Sequence, residues 1–157
     1  MIAPAHADQA PELARLMAAS PLLQRYRVTY GSALRSVSAA ILEGDVVLCC
    51  RGRTGLDGFA WLSLGPRILN GAAYLRLLLV ARPANGIGSR LLAAIEDAAR
   101  VHANHLYLLA TTDNNQARRF YERRGYRHVG DLPALAWPDL DEALYHKPLR
   151  NYAERLR

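Results

Sequence analysis

Cysteine is nearly missing from this sequence: the only two, Cys49 and Cys50, are neighbours within VVLCCR. Successive side chains of a strand point to opposite faces, so these thiols cannot pair with each other and no disulfide framework is open to the chain. No metal-ligand spacing surrounds them, which removes a cysteine-held metal site, and two reduced thiols fit a reducing compartment such as the cytoplasm. Long apolar runs are missing too, since none approaches the ~18 residues of a membrane span. The opening MIAPAHADQAPELARLM carries Asp8 and Glu12 and lacks a basic start followed by an apolar block, unlike a secretory signal. There is no internal repeat, no low-complexity tract and no linker long enough to divide the chain, so residues 1–157 are expected to form one domain.

What is present suits a folded protein. Apolar residues make up 51% of the 157 and charged residues 22%, enough to build a core and too apolar for a disordered chain. The formal net charge of +6, with a local concentration in ARRFYERRGYRH, attracts anions. A polyanionic cofactor would satisfy that charge as well as a nucleic acid would.

Read in order, Asp8 is placed to cap a first helix with Pro11 in its first turn and Leu13, Leu16 and Met17 as its apolar stripe. The segment PLLQRYRVTYG follows, and a second helix is predicted from Ser32 to Leu42, stopped by Gly44. Two strand candidates, Val46 to Arg51 and Gly58 to Leu64, flank the turn-prone GRTG and predict a hairpin.

The densest stretch is LRLLLVARPANGIGSRLLAAIEDAAR, from Leu75 to Arg100. Leu77 to Val80 is an unbroken apolar run, suited to a strand covered on both faces. Pro83 ends it, and Asn85, Gly86 and Gly88 make a loop. Leu91, Leu92, Ile95, Ala98, Ala99 and His102 then recur at helical spacing, with Arg90, Glu96, Asp97 and Arg100 on the other face. A strand, a glycine loop and a helix converge unpaired N–H groups on one point, which either closes a tight connection or binds phosphate. His105 to Thr111 is a further strand, so the two strands around this helix should be parallel. A short helix from about Asn115 to Arg124 follows. Two closing strands, Tyr126 to Val129 and Ala143 to Lys147, are separated by the loop LPALAWPDLD. The whole pattern is α/β (α+β), with a mixed central sheet of six to seven strands.

In NNQARRFYERRGY, Asn114 is placed as a helix cap, and Ala117, Phe120, Tyr121 and Arg124 share one helical face directed at the sheet. Taken together, the two segments resemble the GNAT superfamily of acetyl-coenzyme A-dependent N-acetyltransferases. That family's cofactor loop, Arg/Gln-x-x-Gly-x-Gly/Ala at the head of a helix, is similar to Pro83 through Gly88. Its later pattern, Asn-x-x-Ala-x-x-Phe-Tyr-x-x-x-Gly-Phe/Tyr, is met by Asn114 through Tyr126 at every defined position. The chain departs from the family at Pro83, where Arg or Gln is usual, with Arg82 one place earlier. Pro83 offers no N–H to a pyrophosphate, while the amides of Asn85 to Ser89 keep theirs.

The resemblance implies a single GNAT-like domain with helices on both faces and splayed parallel strands at its centre. It implies acetyl-CoA as cosubstrate, held by Leu78, Leu79, Val80, Ala84, Asn85, Gly86, Ile87, Gly88, Ser89, Asn114, Ala117 and Tyr121. It also implies an acyltransferase that moves the acetyl group to a primary amine of a small molecule or peptide by direct attack with a tetrahedral intermediate. Tyr121 holds the family's position for the donor that assists the leaving thiolate. The acceptor pocket is expected between the first two helices and the late loop, with Tyr26, Tyr30 and Trp61, and also Arg25 and Trp137, as its candidates. For the group that takes the amine proton the central strand offers no carboxylate, and Asp113, Glu142 and His146 are the alternatives. No metal is implied, and a homodimer is. Two other readings stay open: an enzyme resembling toxins that acetylate aminoacyl-tRNA, favoured by the net charge, and a non-catalytic acyl-CoA sensor. A bare dinucleotide-binding module is disfavoured because Leu91 stands where G-x-G-x-x-G needs its third glycine.

Overall fold

Strand alternation divides this protein's apolar residues between two faces of one sheet. In the computed structural model, which describes residues 1–64, 71–83 and 86–150, the strands are β1 (Ile2–Pro4), β2 (Val46–Arg51), β3 (Leu56–Ser63), β4 (Ala72–Val80), β5 (His105–Thr111), β6 (Arg127–Trp137) and β7 (Leu140–Pro148). They pair in the order β1-β2-β3-β4-β5-β7-β6. Only β4 and β5 run parallel, as expected for strands joined through a helix, and every other neighbouring pair is antiparallel.

Cys49 and Cys50 mark the two faces, for they lie in separate buried clusters. On one side, α1 (Ala10–Ala19) and α3 (Tyr30–Glu43) bring Leu13, Met17 and Val37 against Val47, Phe59 and Trp61. On the other, α4 (Ile87–His102) lays Leu91, Leu92 and Ile95 on Leu62, Leu75, Leu106 and Leu108. Those three helix residues are at most 1% exposed, and at ~2 kcal/mol each their burial fixes the helix more firmly than helix propensity does. The last helix among the described residues is α5 (Asn115–Glu122).

One inserted residue shapes the centre of the sheet. Trp61 pairs with Leu77 and Leu62 with Leu75, which leaves Arg76 as a bulge in β4. Pairing between β4 and β5 runs from Ala72↔His105 to Leu75↔Leu108 and stops there. Beyond the bulge β4 stays with β3 as far as Val80, while β5 stays with β7 as far as Thr111↔Glu142. A wedge therefore opens between Leu77–Val80 and Leu109–Thr111.

Several expectations need correction. Asp8 does not cap α1: it sits inside a 3₁₀ turn, Ala7–Gln9, whose start is closed by the Gln9 side chain accepting the His6 amide at 2.8 Å. The segment after α1 contains a short helix, α2 (Pro21–Arg25), because Ser20 caps it and Pro21 starts it. The stretch LPALAWPDLD is mostly strand: β6 and β7 form a long hairpin whose bulges absorb its Pro and Gly residues. His102 is exposed, whereas Glu96 is buried, since Lys147 reaches its two carboxylate oxygens at 2.9 and 3.0 Å and Tyr126 donates to it at 2.9 Å. The strand β1 is too short to show a pattern. Among the described residues no helix is long and apolar enough to cross a membrane.

Candidate active site

The wedge is the floor of a cavity of about 540 Å³. Past the bulge, β4 and β5 no longer face each other, so the backbone groups along the wedge have no ladder partner across it and are open to a strand-like ligand. Leu78 lines the wedge, Val80 packs beside it against the α4 core, and Leu79 points to the opposite cluster.

At the open end of β4 stands the head of α4. Gly86 takes a left-handed conformation (φ 68°), which a larger residue would resist, and Ile87, Gly88 and Ser89 supply the first N–H groups of the helix. A methyl group built on Gly88 would meet the Phe120 ring at 3.5 Å, an ordinary contact, so packing alone does not demand glycine there. Arg124, which sequence reasoning placed only on a helix face, lies 3.7 Å above the Phe120 ring, bonds the Phe120 carbonyl and donates to the Ser89 hydroxyl. It brings a fixed positive charge to a helix end that already attracts anions. Ala84 and Asn85 lie outside the described residues.

Over the wedge, Asn114 caps α5 by accepting the Ala117 amide at 3.1 Å, so the helix starts where its pattern predicted. Tyr121 is thereby turned inward, 9% exposed, edge-on to Phe120 and Tyr126 at centroid distances of 5.2 and 5.5 Å. Its hydroxyl has no hydrogen-bond partner among the described residues, and no fully buried side-chain oxygen is left unsatisfied, so the hydroxyl opens into the cavity. Burial pushes the phenol above its ordinary pKa, and it stays protonated across the working range.

The remaining wall is the corner after α2. Arg25 forms a forked pair with Asp113 at 3.1 and 2.9 Å, which draws the aspartate below its usual range. The Tyr26 hydroxyl lies 2.9 Å from Thr111 Oγ1 and donates to Glu142, and Trp137 Nε1 donates to the Tyr26 carbonyl at 3.2 Å. Arg27, with φ 59°, stacks 3.8 Å over Trp137. Burial, and then the bond to Glu142, push the Tyr26 phenol up to about 12. Burial likewise raises Glu142, against the Tyr26 bond and the Arg25 charge, which lower it.

The sequence candidates therefore sort themselves. Tyr121, Asn114, Ala117, Leu78, Tyr26, Trp61 and Glu142 line one cavity. Tyr30 is 41% exposed at the start of α3, off that lining. Trp61 is mostly core, its indole donating to Asp45 at 2.8 Å under the Arg76 guanidinium. His146 faces His105 at 2.9 Å on another part of the sheet, and Asp113 is an exposed partner of Arg25. Sequence reasoning gave no site role to Thr111 and Tyr74, which strand register brings to the cavity, or to Arg124, which helix packing brings to the head of α4. Among the described residues no group of three or more His, Cys, Asp or Glu side chains is arranged to hold a metal.

The model of the acetyltransferase (GNAT) family matches residues 28–126. No curated protein matches the chain. Solved structures do. An N-acetyltransferase from Staphylococcus aureus Mu50 is 17% identical with a TM-score of 0.78, over 96% of this chain and 98% of that one. The ribosomal-protein-alanine N-acetyltransferase from Brucella melitensis is 17% identical with a TM-score of 0.76, over 94% and 99%. An aminoglycoside 6′-N-acetyltransferase complexed with coenzyme A is 19% identical with a TM-score of 0.75, over 96% and 98%. At these identities the likeness is one of fold.

Proposed function

The chain belongs to the acetyltransferase (GNAT) family, and from that premise we propose that it transfers an acetyl group from acetyl-CoA to a primary amine of a small molecule or peptide. The observation that carries this is the coincidence of three features in one cavity: the unzipped edges of β4 and β5, the glycine-led head of α4, and the unpartnered Tyr121 hydroxyl. The wedge suits the pantetheine arm, whose amides can pair with backbone beside Leu78 and Val80. The amides of Ile87, Gly88 and Ser89, with Arg124 beside them, suit the phosphates. The thioester then lies under Tyr121.

Tyr121 assists by hydrogen bonding. Its phenol stands above an ordinary value near 10 and the departing thiol near 8.5, so full proton transfer would be uphill by at least ~2 kcal/mol. A donor at the sulfur still lowers the barrier to its departure as the amine attacks the carbonyl carbon directly. The coenzyme A complex and the ribosomal-protein-alanine specificity named for two fold relatives support both the cosubstrate and an acceptor range from small molecule to peptide. Residues 1–157 act as one domain. The two free buried thiols support a reducing compartment such as the cytoplasm, and exposed Val129, Leu132 and Leu135 on the outer strand β6 support self-association.

The test is release of thiol from acetyl-CoA across a panel of amines and peptides, with cofactor affinity from isothermal titration. Turnover with at least one amine is expected. Failure to bind at millimolar acetyl-CoA would end this reading.

A further inference from the structure

A carboxylate buried without a cation is uncommon, because an ion taken out of water needs a counter-charge or a pKa shift. Glu96, the other buried carboxylate among the described residues, has Lys147. Glu142 is 3% exposed and forms no ion pair among the described residues. Arg25, whose charge does act on Glu142, commits both terminal nitrogens to Asp113 instead. What Glu142 does have is the Tyr26 hydroxyl donating to its Oε1, and that hydroxyl is braced by Thr111 Oγ1 at 2.9 Å. Among the described residues Glu142 is also the only Asp or Glu in the lining of the cavity that Tyr121 enters. Its position follows from register, since Glu142 pairs with Thr111, the last residue of β5, at the mouth of the wedge. Glu142 therefore stands in the cavity wall as a buried carboxylate that no cation pairs with among the described residues.

Resting on the acetyl-transfer reading above, we propose that Glu142, with the Tyr26 hydroxyl bonded to it, accepts the proton of the incoming amine. The acceptor enters as R–NH3⁺, whose charge the carboxylate balances. One N–H proton passes to Glu142, either directly or through Tyr26, whose oxygen takes that proton while its own moves to Oε1. A neutral amine and a carboxylic acid result. The nitrogen lone pair forms the C–N bond to the carbonyl carbon, the C–S bond breaks with its electron pair on sulfur, and a second N–H proton ends on that sulfur. Glu142 then returns its proton to water. The groups that face it are Arg25 from α2 and Tyr26 just after it, Thr111 from β5 with Asp113 beyond it, and Tyr74 from β4. Burial holds its pKa above the ordinary carboxylate value, nearer the working range of a proton acceptor.

The experiment compares wild type, Glu142→Gln and Tyr26→Phe in thiol release from acetyl-CoA, with n-butylamine and with the much less basic methoxyamine as probes. Glutamine keeps the shape and removes a carboxylate whose burial opposes ionisation, so folding should survive. With n-butylamine, Glu142→Gln should lower kcat by about 10²–10³-fold, and with methoxyamine, already neutral at pH 7, by less than about tenfold. Tyr26→Phe should shift the acid limb of the kcat/KM profile with n-butylamine while leaving acetyl-CoA affinity unchanged. A merely structural role would depress both probes alike, and that result, or an unchanged Glu142→Gln rate, overturns the assignment. A wild type that binds acetyl-CoA yet releases no thiol to either amine defeats the acetyl-transfer reading itself, and this inference falls with it.

Discussion

Replacing Tyr121 by phenylalanine removes one oxygen that bonds none of the described residues. The ring keeps its edge-on contacts with Phe120 and Tyr126, and no partner is orphaned, since none of the described residues bonds the hydroxyl. The folding cost should therefore fall below the ~0.5–1.5 kcal/mol of a typical hydrogen bond, a change of less than ~2 °C in melting temperature for a chain of this size. The catalytic cost is of another order. Losing one preorganised donor at a site of developing negative charge costs about 2.7–4 kcal/mol, a drop of roughly 10²–10³ in kcat. Thiol-release kinetics, differential scanning fluorimetry and isothermal titration with acetyl-CoA measure the three quantities on one preparation. The expected pattern is a large fall in kcat, an unmoved melting temperature and an unmoved acetyl-CoA affinity. A kcat within about threefold of wild type would refute the role of the phenol, because a leaving-group donor that can be deleted freely contributes far less than the 10²–10³ expected. A melting temperature lowered by more than ~4 °C would refute the geometry, since it would mean the hydroxyl holds the fold together.

Gly58→Ala should destabilise through backbone: the added carbon would fall 2.5 Å from the Leu79 carbonyl and 3.1 Å from Val80 Cα, so β3 and β4 must part, at about 1–3 kcal/mol or more in denaturant unfolding. An unchanged midpoint would contradict that close approach. Gly88→Ala should behave in the opposite way, keeping or gaining up to ~1 kcal/mol as a helical residue while weakening acetyl-CoA binding by about tenfold or more in titration. Unchanged affinity would place the phosphates elsewhere. Lys147→Met deprives buried Glu96 of its closest cation and should cost about 1–3 kcal/mol, less than for a sealed pair because Lys147 is partly exposed and Arg100 lies 3.8 Å from the carboxylate. Adding Glu96→Gln should restore most of the loss, and a strictly additive double mutant would argue against the pair.

Long periodic segments were the easiest to read. α3 and α4 announce themselves by apolar spacing and by glycines at Gly44 and Gly86, and β5 spans the run expected of it, because a strand buried on both faces needs apolar residues throughout. The hairpin of β2 and β3 was legible from GRTG between two apolar runs. The β6–β7 hairpin was not, since β6 is exposed along nearly its whole length and its residues carry no buried alternation. Glu96 looked like a surface residue because its partner Lys147 is 51 residues away, a distance that periodicity does not see. The same holds at the site. Asn114, Gly86 and Tyr121 stand out locally, whereas the bond from Tyr26 to Glu142 spans 116 residues and exists only once α2 has folded over the ends of β5 and β7.

Arg76 has a consequence beyond its own side chain. Because the ladder on one flank of β4 slips by a single residue there, the strand is released from β5 and at the same step turns a guanidinium toward Trp61 on the α1 and α3 side of the sheet. Deleting that one residue should let the two parallel strands zip shut to their ends, closing the slot proposed for the thioester arm while leaving the core side chains in place. The gap that makes this sheet useful is held open by a miscount of one.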